Sequence, residues 1–143
     1  MKKIVYLAGA MSGVPKEFYE GWREYVDDFF TYYYNWEVFD PTKYFTDKTV
    51  SEDKAMISDL SWLRKSDVVI ANFNYNPQSV GTACEVAIAN TIGIPVVGYI
   101  CGIDEFRNLH PWLSRFCQRF FLGVDRDDFS QMDDLLNYVV KNI

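Results

Sequence analysis

The chain has 143 residues, a hydrophobic fraction of 49% and a formal net charge of −6. That length suits one domain with a single substantial core, and no apolar run approaches the roughly 18 residues that a membrane-spanning helix needs. The acidic balance argues against a nucleic-acid polymer as partner, which requires a basic footprint, although one local site can still take a small anion.

The N-terminus, MKKIVYLAGAMSG, has a basic start and an apolar stretch of about seven residues, at the bottom of the range for a leader. Lys3 to Ala8 therefore reads as a buried first strand, and the chain as cytoplasmic. Residues 16 to 33 place Phe18, Trp22, Tyr25, Val26 and Phe29 at helical spacing, an amphipathic helix. Trp36 to Phe39 is a short strand stopped by Asp40-Pro41, and residues 42 to 50 read as loop. Ser51 can cap a helix running to about Lys65 with Ala55, Met56, Leu60 and Leu63 inward.

Asp67 to Phe73 is a near-continuous apolar run of the kind found in buried parallel strands. A loop over residues 74 to 78 precedes a helix from about Thr82 to Thr91, which Gly93 ends. Ile94 to Tyr99 is the fourth strand, followed by a helix over 108–115, a strand over 118–122 and a last helix over 130–142. Alternating strands and helices predict a single α/β domain over residues 1–143, Rossmann-like or flavodoxin-like. Its parallel sheet has about five strands, with helices on both faces. Ligands in such folds sit at the carboxyl ends of the strands.

Several familiar chemistries find no match. Gly9-Ala10-Met11-Ser12-Gly13 follows the first strand but is neither G-x-G-x-x-G nor a P-loop. Its glycines serve a tight turn or a close approach to a small ligand. His110 is the single histidine and lies far along the chain from any nucleophile-elbow context, so a catalytic triad or a metal centre lacks its partners. Cys84, Cys101 and Cys117 are spaced unlike zinc ligands and read as reduced, partly buried thiols.

Carboxylates remain. Asp67 opens a strand and reads as a turn or cap residue. Asp59 is either a solvated helix residue or an acid aimed across a cleft. Glu85 closes Thr82-Ala83-Cys84-Glu85, the spelling of a capping box. An oriented, ionised carboxylate there could equally attack a sugar C1′ and split glycosidic cleavage into two easier steps. Pattern alone favours the cap.

Tyr6-Leu7-Ala8-Gly9, Asp59-Leu60, Ser66 to Ala71, Ser79 to Glu85 and Asn108-Leu109 occur in an order that resembles the nucleoside 2′-deoxyribosyltransferase family, over about residues 3 to 112. The resemblance implies Glu85 as a nucleophile forming a deoxyribosyl-enzyme intermediate. It further implies Asp59 handling the base and its proton, and Tyr6 orienting the nucleophile. Gly9, Ser12, Ser79, Gly81 and Asn108 become substrate-binding residues, and Asn108 is lent by a neighbouring subunit of a homodimer or larger oligomer. The implied partners are a deoxynucleoside or deoxynucleotide and a free nucleobase. No metal or organic cofactor is implied, and Tyr75 and Trp62 are candidate rings for stacking on the base.

Two departures are informative. Family transferases usually carry an Asp six residues before the nucleophile, where this chain has Ser79. A Ser there resembles the related 2′-deoxynucleoside 5′-monophosphate N-glycosidases, in which it contacts the phosphate. Ala10 and Ser12, however, stand where those hydrolases have a Ser and an Arg, and Asn108 follows the transferase pattern.

Overall fold

In the computed structural model, described for residues 1–44 and 51–143, five parallel strands form one sheet in the order β2-β1-β3-β4-β5. The strands are β1 (Ile4–Gly9), β2 (Glu37–Phe39), β3 (Val68–Asn72), β4 (Val96–Cys101) and β5 (Arg119–Gly123). The helices are α1 (Lys16–Tyr34), α2 (Pro41–Tyr44), α3 (Glu52–Lys65), α4 (Val80–Thr91), α5 (Ile103–Asn108), α6 (Pro111–Phe116) and α7 (Asp133–Asn142). This is the flavodoxin-like order, whose direction of winding reverses between β1 and β3.

The inner strands β1, β3 and β4 are buried on both faces, so each face needs its own core. One face packs Val5, Leu7, Ile70 and Val97 against Trp22, Val26 and Phe30 of α1 and Leu135, Leu136 and Val139 of α7. The other packs Tyr6, Ala8, Val69, Ala71 and Ile100 against Leu63 of α3, Val86 and Ala89 of α4 and Leu113 of α6. The two-residue period of β1 therefore sends Tyr6 to the α3/α4 face and its neighbours Val5 and Leu7 to the α1 face.

Differences from the sequence reading have local causes. Residues 41 to 44 form a helical turn rather than loop, because Asp40 Oδ1 accepts from the Thr42 backbone N–H at 2.9 Å and from its hydroxyl at 2.7 Å. The rest of that predicted loop, residues 45 to 50, lies outside the described residues. The helix expected over 108–115 is two short helices. The backbone is extended at Leu109 and His110 ahead of Pro111, which then opens α6. The final helix is preceded by a 3-10 turn over Phe129–Met132. Met56, expected inward, is 56% exposed. Asp67 accepts from the Ile4 N–H at 2.8 Å, which ties β3 to β1 at the amino edge of the sheet and away from the ligand edge.

Candidate active site

Helix α4 starts three residues earlier than a Thr82 cap would put it. The Ser79 hydroxyl accepts from the Thr82 N–H at 3.4 Å and from the Thr82 hydroxyl at 3.2 Å, so Ser79 is the N-cap. Thr82 is thus already inside the helix, and Glu85 falls in the second turn, out of reach of a capping-box contact. The capping reading of Glu85 is overturned. Ser79, singled out for a phosphate, has a structural use of its own as the cap.

Freed from the helix end, Glu85 shares the α4 face of Thr82, Val86 and Ala89 that packs on the sheet. There it meets Tyr6 from β1, and Asp59 of α3 acts on both. Tyr6 Oη, Asp59 Oδ1 and Glu85 Oε2 are all buried, and none makes a hydrogen bond of normal geometry among the described residues. Unsatisfied buried polar atoms are costly and uncommon, and a cluster of three is a feature of sites prepared for a ligand.

Burial pushes the Glu85 carboxyl up to about 7, the Asp59 charge adds to the rise, and Tyr6 and the Arg23 guanidinium oppose it. Burial alone pushes Asp59 up to about 6. The Tyr6 phenol is driven well above its ordinary value, first by burial and then by the Glu85 and Asp59 charges. Two carboxyls that titrate near neutrality in one cluster hold about one proton between them there. That leaves one anion and one acid, the pair that glycosidic cleavage requires.

Gly9 ends β1 at the carboxyl edge of the sheet, and a Cβ on it would come within 2.9 Å of the Trp22 ring and 3.2 Å of the Asn72 carbonyl. Gly9→Ala should therefore destabilise the fold by about 1–3 kcal/mol through overpacking, read as a lower urea midpoint at unchanged m-value. Ser12 is exposed, and its carbonyl accepts from Asn76 Nδ2 at 3.4 Å across the carboxyl edge. Gly81 is exposed in the first turn of α4, with nothing within 4 Å of where a Cβ would stand.

Asn108 stands apart from the cluster. It lines a groove of about 1000 Å³ between α4 and the α5–α6 pair, with Val80, Ala83, Cys84, Trp112 and Phe116. Trp62 stacks on Phe39 at 4.9 Å between centroids, and Tyr75 lies between Phe18 and the Arg126 guanidinium, so both proposed stacking rings already have partners.

Arg23 and Asp40 escaped sequence reasoning. Both are buried, with Arg23 Nε 3.4 Å from Asp40 Oδ1. The available signal was a charge set directly beside Trp22 on the apolar stripe of its helix, because a lone charge on a core-facing stripe needs a partner. No group of His, Cys, Asp and Glu that could hold a metal ion occurs among the described residues. No helix among them is long and apolar enough to cross a membrane.

A family model described as nucleoside 2-deoxyribosyltransferase matches residues 5–136. No match to the chain is found among curated proteins. Among solved structures, a conserved protein from Enterococcus faecalis V583 superposes with a TM-score of 0.73 at 16% identity, covering 100% of both chains. A CMP N-glycosidase from Clostridium botulinum gives 0.62 at 20% identity, covering 93% of this chain and 98% of that one. A 2-deoxyribosyltransferase from Bacillus psychrosaccharolyticus gives 0.55 at 18% identity, covering 87% and 88%. At these identities the likeness is one of fold.

Proposed function

The chain belongs to the nucleoside 2-deoxyribosyltransferase family, and from that premise we propose that it cleaves the N-glycosidic bond of a 2′-deoxynucleoside and transfers the deoxyribosyl group to another nucleobase. The observation that carries this reading is the clustering of Glu85, Asp59 and Tyr6, with Glu85 Oε2, Asp59 Oδ1 and Tyr6 Oη buried without a hydrogen bond of normal geometry among the described residues. Tyr6 and Arg23 both favour negative charge on Glu85, whereas Asp59 has burial alone acting on it. With Glu85 pushed up to about 7 and Asp59 to about 6, the shared proton rests mainly on Glu85 in the free enzyme, and the reactive form is the minor one with Glu85 ionised and Asp59 protonated.

The Glu85 carboxylate attacks C1′ as the C1′–N bond breaks, and Asp59 gives its proton to the departing base nitrogen. A second base then loses a proton to Asp59, its nitrogen attacks C1′, and the ester bond to Glu85 breaks. Two inversions give net retention. Excluding water favours a base over hydrolysis as the fate of the intermediate.

A second copy of the chain would supply Asn108 to the sugar. The exposed Val80 and Trp112 on the α4/α5–α6 groove suit such a contact. Sedimentation velocity tests this: a dimer is expected, and a monomer at assay concentration would count against a shared site.

Ser79 favours a second reading, hydrolysis of a 2′-deoxynucleoside 5′-monophosphate. Its hydroxyl oxygen accepts from Thr82, which leaves the hydroxyl proton for a phosphate at the start of α4. Against it, the Arg23 guanidinium is already held by two carbonyls and Asp40. Chromatography of a deoxynucleoside incubated with and without a second base, beside the 5′-monophosphate, separates the two. Base exchange supports transfer, and free base from the monophosphate supports hydrolysis. Turnover of neither defeats both.

The rate should follow a bell-shaped pH profile, because only the singly protonated carboxyl pair is competent. The kcat/KM maximum is expected between about 6 and 7, where Asp59 and Glu85 titrate. A rate that climbs steadily to pH 9 would contradict the need for an acid.

A further inference from the structure

Arg23 is 1% exposed and lies in the middle of α1, on the stripe that otherwise buries Phe18, Trp22, Val26 and Phe30. Its guanidinium joins three parts of the fold. Nη2 donates to the Gly9 carbonyl at 2.8 Å, Nη1 donates to the Tyr19 carbonyl at 3.0 Å, and Nε lies 3.4 Å from Asp40 Oδ1 just beyond β2. Asp40 is itself pinned by both donors of Thr42. The glycine at position 9 makes room for this arrangement, since a Cβ there would stand 3.4 Å from Nη2 and closer still to Trp22.

Removing two charges from water offsets much of their mutual attraction, so a buried ion pair is a poor device for stability alone. Its position suggests another use. The guanidinium bridges the carboxyl ends of β1 and β2, where a ligand of this fold is expected, and its field reaches both Tyr6 and Glu85. The groups facing Glu85 are Tyr6 from β1, Asp59 from α3 and Arg23 from α1. Those facing Arg23 are Asp40 beyond β2, Glu85 from α4, Tyr6 from β1 and Tyr19 from its own helix.

We propose that Arg23 is a positioning residue of the active site, a buried cation that locks the end of β1 to α1 and Asp40 and holds a positive charge toward Glu85. Its service to catalysis rests on the reading of Glu85 as nucleophile; its effect on the Glu85 carboxyl does not. Arg23 favours the Glu85 anion, while Asp40 fixes the guanidinium in place. The position is unsuited to gripping substrate, since all three of its nitrogens face protein atoms.

The test is a carbon-13 titration of the glutamate carboxyls in the full chain, with the Glu85 resonance assigned by its loss in Glu85→Gln. The wild-type midpoint is expected at about 7. The paired variant Arg23→Gln/Asp40→Asn removes both charges together, which buried pairs tolerate better than loss of one partner. It should raise the midpoint, because the guanidinium is one of the two groups that hold the Glu85 carboxyl down. An unmoved midpoint in a folded paired variant overturns the assignment. Asp40→Asn alone keeps the guanidinium, still held by the Gly9 and Tyr19 carbonyls, so its midpoint stays at or below the wild-type value. A rise in Asp40→Asn overturns the assignment even if the paired variant does not fold. Turnover assays separate the two layers. An active wild type with an unmoved midpoint defeats the role of Arg23 only. An inactive wild type with a raised midpoint in the paired variant defeats the nucleophile and leaves the electrostatic role standing.

Discussion

Glu85→Gln is expected to lower kcat for deoxyribosyl transfer by about 10³–10⁶-fold, the range seen when a nucleophile is removed, with little change in the folded structure. The amide keeps the volume and shape of the carboxyl but cannot attack C1′, so no covalent intermediate forms. Nothing in the helix depends on the lost charge, because Ser79 and not Glu85 closes the start of α4. Persistence of the substrate with no covalent intermediate in a rapid-quench assay, together with an unchanged circular dichroism spectrum, is the expected pair of results. A folded variant that turns over within tenfold of wild type would remove Glu85 from the chemistry. Asp59→Asn should cost less, about 10²–10⁴-fold, the scale of a lost general acid, and should spare substrates whose base departs without protonation.

Glu85→Gln is also expected to stabilise the protein above neutral pH. The Glu85 carboxyl titrates at about 7 in the folded chain against an ordinary value of 4.5. The folded state therefore binds this proton more tightly than the unfolded state. That contribution to stability is fully present below the unfolded value and is lost as the pH rises through the folded one. At pH 8 the loss amounts to about 3 kcal/mol, because burial costs the anion more than Tyr6 and Arg23 return. A glutamine stays neutral throughout and escapes it. Urea unfolding of both proteins at pH 4 and pH 8 should give similar stabilities at the lower pH and a more stable Glu85→Gln at the higher. Asp59 contributes with the same sign, and its carboxyl is less deeply buried than that of Glu85, which weakens the effect. A wild type that remains the more stable protein at pH 8 would mean that the anion is better solvated than its burial implies. A residue that lowers stability where the enzyme works is a familiar cost of function.

Arg23, Asp40 and Glu85 mark where reading along the chain reached its limit. Arg23 lies in an amphipathic helix whose apolar stripe is plain from Phe18, Trp22 and Val26, yet one charge beside Trp22 has no visible partner in sequence. Asp40, 17 residues on, is the partner only because β2 runs parallel to β1 and ends beside it. The Thr82–Glu85 spelling misled for a related reason. A capping box is recognised by spacing, and the spacing is meaningful only if the helix begins at its first residue. Ser79 competes for that role three residues earlier and wins.

The order of elements and the buried character of Val68 to Asn72 were legible in the sequence, and so was the choice of acids to consider. Hydrophobic periodicity and punctuating residues such as Asp40-Pro41 and Gly93 act locally, and local signals survive translation into one dimension. The ordered set of Tyr6, Asp59, Ser79, Glu85 and Asn108 was legible as well, through resemblance. What only the tertiary structure decided is which carboxylate is solvated and which is not. Asp67 and Glu85 look alike in sequence, but Asp67 closes the amino edge of the sheet in contact with water, while Glu85 turns from α4 onto Tyr6 and loses its hydration. Desolvation and the field of Arg23 depend on what surrounds a group in three dimensions, and they make one acid in this chain a cap and another a candidate nucleophile.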